Sequence, residues 1–224
     1  MSRVGKTIIK VPAEVKVEII YGYPQGQAQS KSASEKTENV GDKRLISVTG
    51  PKGVLLQEMR PSVWAEIGNG QIELKRANDE ALTKSLHGLY NRLIQNMITG
   101  VTKGFTKTLI CHGVGYKANM KGENLVLNLG MSHPSEVAAE DGVKFKICNP
   151  TEVQALNLGK EAIGVVIQVT GASKEQVGAV ASKIRGIRKV EPYHLYGIRY
   201  SNEHVVRKES KSGKKAGPAG GAKK

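Results

Sequence analysis

Asn78-Asp79-Glu80-Ala81-Leu82-Thr83-Lys84-Ser85-Leu86-His87-Gly88-Leu89, continuing through Leu93 and Met97 to Gly100, reads as one helix. Asn78 is a capping residue, and two acids follow where a helix N-terminus favours negative charge. Leu82, Leu86, Leu89, Leu93 and Met97 recur at helical spacing, and Gly100 supplies a stop. The spacing predicts an amphipathic helix of about twenty residues. A second start lies at Ser173-Lys174-Glu175-Gln176, a capping box with Gln three residues after Ser. Val177, Val180, Ala181 and Ile184 form its apolar side, and Gly186 its end.

Strands precede each helix. Val15, Val17 and Ile19 alternate, and Leu45–Val48, Val54–Met59, Val63–Ile67 and Ile72–Leu74 continue as a meander. Gly50-Pro51-Lys52-Gly53 places Pro second and Gly fourth, as a tight turn requires. Thr106–Cys111, Val114–Asn119, Leu125–Leu129, Lys144–Cys148 and Val165–Val169 then repeat the plan before the second helix. The predicted fold is α+β: two tandem copies of a small domain of antiparallel sheet and one helix, followed by a basic C-terminal tail. Two unrelated small domains would give the same pattern. The expected boundaries are 1–101 and 102–195 for the two copies, and 196–224 for the extension. Residues 22–43, rich in Gln, Ser, Lys and Glu, read as a long polar hairpin tip.

Composition points to a polyanionic partner. The chain has 224 residues, a formal net charge of +14 and only 4% aromatic residues, so Val, Ile and Leu must fill the cores. No apolar run approaches the roughly 18 residues that span a bilayer, and no apolar segment follows Met1–Lys10 as a secretory signal needs. Residues 185–224 hold eleven Lys/Arg against three acids, a net +8. Tyr193, Tyr196 and Tyr200 fall among those charges, in a segment too rich in Gly, Pro and Lys to build a core. Cations beside flat rings suit RNA, which is held through phosphates, 2′-hydroxyls and stacking. The alternatives are a solvated basic tail, or a free nucleic-acid-binding, chaperone or membrane-surface protein acting through that tail alone.

Enzymatic signatures fail on context. Gly113-Val114-Gly115-Tyr116-Lys117-Ala118 matches a dinucleotide fingerprint, but alternating Leu125, Leu127 and Leu129 announce a strand where a helix must follow. It reads better as a glycine-opened turn exposing Tyr116 and Lys117. Cys111 and His112 are strand neighbours and point to opposite faces, so they form no nucleophile and base pair. Cys111 and Cys148 read as reduced, buried thiols, and the five histidines have no ligand spacing. No catalytic residue, metal, cofactor or small-molecule substrate is expected.

Several runs resemble the L-six family of large-subunit ribosomal proteins, in its bacterial or organellar form. They are Met1-Ser2-Arg3-Val4-Gly5-Lys6, Gly50-Pro51-Lys52-Gly53, Leu86-His87-Gly88 with Asn96-Met97 and Gly100-Val101, Gly113-Val114-Gly115-Tyr116, Ser132-His133-Pro134, and Gly197-Ile198-Arg199-Tyr200 followed by Val206-Arg207-Lys208. The resemblance spans nearly the whole chain. It implies a structural, non-enzymatic constituent of the large subunit, located in the ribosome of a cytoplasm or an organelle matrix. It also implies contact with large-subunit ribosomal RNA near the sarcin-ricin loop, with neighbouring proteins at the stalk base and translation factors close by. The residues expected at RNA are Ser2, Arg3, Lys6, Gly113, Gly115, Tyr116, Lys117, Ser132, His133, Arg185, Arg188, Lys189, Tyr193, Gly197, Arg199, Tyr200, Arg207, Lys208 and Lys211. Three departures stand out. The stretch at 22–43 is longer than the family's, a second extra stretch lies near 150–161, and the family's Tyr-Lys-Gly-Lys-Gly element reads Tyr193-His194-Leu195-Tyr196-Gly197.

Overall fold

The structure is a computed structural model that describes residues 4–21, 44–68, 70–148 and 164–209. The stretches expected at 22–43 and 150–161, together with Ser2, Arg3 and Lys211, lie outside the described residues. The chain divides into two compact units. One runs to Phe105 and includes Gly171–Val177; the other comprises Thr106–Thr170 and the chain from Gly178 onward.

The first unit contains β1(Ile9–Lys10), β2(Lys16–Tyr21), β3(Arg44–Gly50), β4(Gly53–Met59), β5(Val63–Gly68), β6(Gln71–Arg76) and the helix α1(Ala81–Thr102). These strands form no single meander. Ile9 and Lys10 pair with β6, so the strands divide into two antiparallel sheets, β2-β3-β4 and β1-β6-β5. A two-residue strand is too short to show a period, which is why the sequence pattern passes over it. Ile46, Val48, Val63, Ile72, Ile94 and Val101 are fully buried between the sheets and the helix.

The face of α1 differs from the leucine stripe. Thr83, His87, Tyr90, Asn91, Ile94, Met97, Ile98 and Val101 are buried, whereas Leu82 and Leu89 are 60% and 50% exposed. The inner arc is displaced because polar His87 and Asn91 have partners there. Asn91 Nδ2 donates to the carbonyls of Gly5 and Thr7 at 3.3 and 2.8 Å, and His87 lies 2.9 Å from the Leu74 carbonyl. Gly100 does not end the helix, which continues to Thr102; Gly104, at φ +77°, is the left-handed residue that closes it. Glu80 stands at the N-cap without a side-chain cap bond, and Asp79 instead pairs with Arg76.

The second unit is built from β7(Phe105–His112), β8(Lys117–Lys121), β9(Asn124–Asn128), β10(Ser135–Val137), β11(Val143–Cys148), β12(Val165–Gly171), α2(Lys174–Ile187) and β13(Gly197–Tyr200), of which Phe105, Gly171 and Lys174–Val177 belong to the first. Its sheets run β10-β9-β8 and β11-β12-β7-β13. Ser173 caps α2 as expected, its Oγ accepting the Gln176 N–H at 3.4 Å. Val177, Val180, Ala181 and Ile184 are fully buried.

The main difference is β13. Gly197–Tyr200 was expected in a tail unable to build a core, yet it pairs antiparallel with β7, Ile198 opposite Cys111 and Arg199 opposite Ile110. Ile198 is completely buried and Arg199 is 7% exposed. The basic extension therefore begins after this strand and not at residue 196.

Candidate nucleic-acid interface

One end of the second unit gathers several loops around the start of β13. The turn 113–116 leaves β7, and the Tyr116 amide donates to Gly113 O at 3.4 Å. The Tyr116 ring folds over Gly113, where an added Cβ would lie 2.6 Å from it, and also reaches Gly130. Ser132 and His133, both exposed, follow Gly130 closely. His112, the last residue of β7, faces the Tyr196 ring at 5.6 Å, and Tyr196 faces His194 at 5.5 Å with planes 21° apart. Arg207 Nε donates to Tyr193 O at 3.0 Å, and the Lys208 amide donates to Pro192 O at 2.9 Å.

The 188–197 loop owes its form to Gly197. Its φ is +140°, and a Cβ there would lie 2.7 Å from Lys189 O and from Val190 Cα. Only a residue without a side chain lets these backbones meet and form two bonds of 2.9 Å, Ile198 N–H to Arg188 O and Glu191 N–H to Tyr196 O. Leu195 adopts φ +63°, a left-handed conformation rare for a branched side chain. That position is the one where the resembling family's element has glycine.

Of the expected contact residues, Lys117, Ser132, His133, Arg188, Lys189, Tyr193, Arg207 and Lys208 are exposed on the second unit. Gly113, Gly115 and Gly197 shape the backbone, and Tyr116 is half-buried, not exposed as expected. Arg199, on the edge strand β13, is 7% exposed. Arg185 makes a bidentate pair with Glu203, at 2.8 Å from Nε to Oε2 and through the Nη2–Oε1 contact. Its guanidinium also lies 5.7 Å from the Tyr200 ring, so this arginine ties α2 to the turn after β13. The Arg185 bond is the main reason the Glu203 carboxyl is held below its ordinary range. Sequence reasoning missed the ring row of His112, Tyr196 and His194; the alternation of rings from Tyr193 to Tyr196 was its only signal.

Lys6 lies in the first unit. Gly5 is buried against the His87 ring, where an added Cβ would be 2.5 Å from Nδ1. Gly50-Pro51-Lys52-Gly53 is also structural: the Lys52 amide donates to Val101 O at 3.0 Å and its Nζ bonds Lys103 O, covering the C-terminal carbonyls of α1. Cys111 is buried, and desolvation pushes its thiol up to about 12, far from a nucleophilic thiolate. Among the described residues no helix is long and apolar enough to cross a membrane.

The family model of ribosomal protein L6 matches residues 37–104 and 112–201, once in each half. The chain belongs to the ribosomal protein L6 family. Similar proteins, each called large ribosomal subunit protein uL6, include one from Clostridium perfringens, 42% identical over 214 residues, covering 96% of this chain and all of that protein. One from Staphylococcus carnosus is 41% identical over the same shares, and one from Thermomicrobium roseum is 41% identical over 97% of this chain and 99% of that protein. The L6 fold is thus a tandem pair of α+β domains, and the family is structural, not enzymatic. Its second match ends at residue 201, which includes β13.

Proposed function

We propose that this protein is a structural constituent of the large ribosomal subunit and that it holds large-subunit ribosomal RNA with the loop end of its second unit. The observation that carries the reading is the set of exposed Arg188, Lys189, Arg207 and Lys208 with Tyr193 and His194, on segments joined by the Ile198–Arg188, Lys208–Pro192 and Arg207–Tyr193 bonds, with exposed Lys117 at the start of β8. Cations neutralise phosphates and set affinity, while rings engage unpaired bases. The relatives named for the large subunit supply the partner, and their bacterial origin favours a ribosome in the cytoplasm. The further reading places this end near the sarcin-ricin loop and the stalk base, among neighbouring ribosomal proteins and beside the docking surface of translation factors.

The mechanism is positional. The close backbone approach at Gly197 and the Arg185–Glu203 pair tie the loops to the sheet and α2, so part of the ordering entropy of the contact residues is met during folding rather than on binding. Ultraviolet crosslinking within intact large subunits, followed by peptide mapping, tests the reading. Crosslinks should concentrate in 112–117, 130–134 and 188–208. Crosslinks confined to residues beyond 209 would instead favour a protein acting through its tail alone.

A further inference from the structure

We infer that the row of rings His112, Tyr196 and His194 is a stacking platform for one unpaired RNA base, seated on the outer face of His194. This rests on the RNA-binding reading above and names the chemistry of one part of that surface. The three rings meet pairwise, the first pair tilted by 40° and the second stacked at 21°. His112 is half-buried at the end of β7, Tyr196 is half-buried and 5.6 Å from it, and His194 stacks on Tyr196 at 5.5 Å and 21°.

The row ends in solvent, since the His194 side chain is 63% exposed. Core packing does not explain that last ring, because a ring so exposed buries little apolar surface. Its orientation is nonetheless held. His194 Nδ1 lies 3.6 Å from Glu191 Oε2, and the backbone of both residues is fixed by the Glu191–Tyr196 and Leu195–Glu191 bonds of 2.9 and 3.0 Å.

Between Glu191 and Gly197 the loop carries no Lys or Arg, while Arg188, Lys189, Arg207 and Lys208 flank it. Cations therefore lie on either side of a planar centre, where the charged group beside the rings is the Glu191 carboxylate. A base splayed out of a folded RNA fits that arrangement: its π-face continues the row and its backbone reaches the flanking cations.

The test measures equilibrium binding of the full-length chain to deproteinised large-subunit ribosomal RNA across a potassium chloride series at about pH 8. Small-subunit RNA serves as the comparison. Loss of one stacked base weakens binding by about tenfold, so His194→Ala should bind about tenfold more weakly at every salt concentration. Its log-log salt slope should match the parent, because a stacking contact releases no counterion. His194→Phe should bind as the parent does, and His194→Lys should fail to recover affinity at high salt. Equal unfolding midpoints for the variants would show that folding is not the cause.

His194→Ala binding as tightly as the parent would overturn the inference, as would full rescue by His194→Lys with a steeper slope. A parent chain that does not prefer large-subunit RNA, with a tenfold His194→Ala loss on both RNAs, would uphold the platform and overturn the ribosomal assignment of its partner.

Discussion

Replacing Gly197 by alanine should damage the second unit out of proportion to the single methyl added. At φ +140° an L-residue is strained by about 1–3 kcal/mol. The new Cβ would be 2.7 Å from Lys189 O and Val190 Cα, both backbone atoms without rotamers to escape into. The 188–191 segment must withdraw, which breaks the Ile198–Arg188 and Glu191–Tyr196 bonds, each worth about 1 kcal/mol. Alanine recovers roughly 0.5–1 kcal/mol by stiffening the unfolded chain. The net loss is about 3 kcal/mol, or roughly 10–20 °C in the midpoint of a unit of this size. Gly115→Ala provides the comparison. Gly115 has φ +76° but nothing within 4 Å of an added Cβ, so it should cost only about 1 kcal/mol. Urea unfolding monitored by circular dichroism measures both. A Gly197→Ala protein within about 1 kcal/mol of its parent, or no worse than Gly115→Ala, would refute the close-approach argument.

Other outcomes follow from single sites. Gly178 and Gly186 lie in α2 with open space around an added Cβ, so alanine at either should stabilise by roughly 0.5–1 kcal/mol in the same assay. The lowered Glu203 value means that the Arg185–Glu203 contribution is fully present above the ordinary glutamate value of 4.5 and is lost as pH falls through the folded value. Stability measured from neutrality downward should show this loss below about pH 4.5, and Glu203→Gln should flatten that region while costing about 1 kcal/mol at neutral pH, the half-exposed pair being partly screened. Cys111 should resist a thiol reagent in the folded protein and react on unfolding; rapid native-state labelling would contradict its burial and raised value.

The repeated fold was legible because long elements carry periods. The α1 and α2 segments, the alternation of Leu125 and Leu127, and the Pro51-Gly53 turn all predict what is found. What escaped was short or set by distant contacts. Ile9–Lys10 is two residues long, and Gly197–Tyr200 looks like tail because it is only four residues set in a basic segment, although Ile198 pairs opposite Cys111. The exposed flank of α1 escaped because burial there follows the bonds of His87 to Leu74 and of Asn91 to Thr7, 13 and 84 residues away in sequence, a relation no local period encodes. At the candidate interface, composition located the charged loops but not their partners. The sequence does not show that Arg185 is paired with Glu203 or that Arg199 is mostly buried on β13. The ring row was hidden because His112 is remote in sequence from His194 and Tyr196.

The central claim is that the folded loop end, and not a diffuse basic tail, holds this protein on the large subunit. Sedimentation through moderate salt measures it most directly, comparing the parent with a variant carrying Arg188→Ala, Lys189→Ala, Arg207→Ala and Lys208→Ala, and with a chain ending at Glu209. The account predicts that the parent and the shortened chain remain with the large subunit while the fourfold variant is lost to the top of the gradient. Normal occupancy of the fourfold variant, or release of the shortened chain alone, would contradict it.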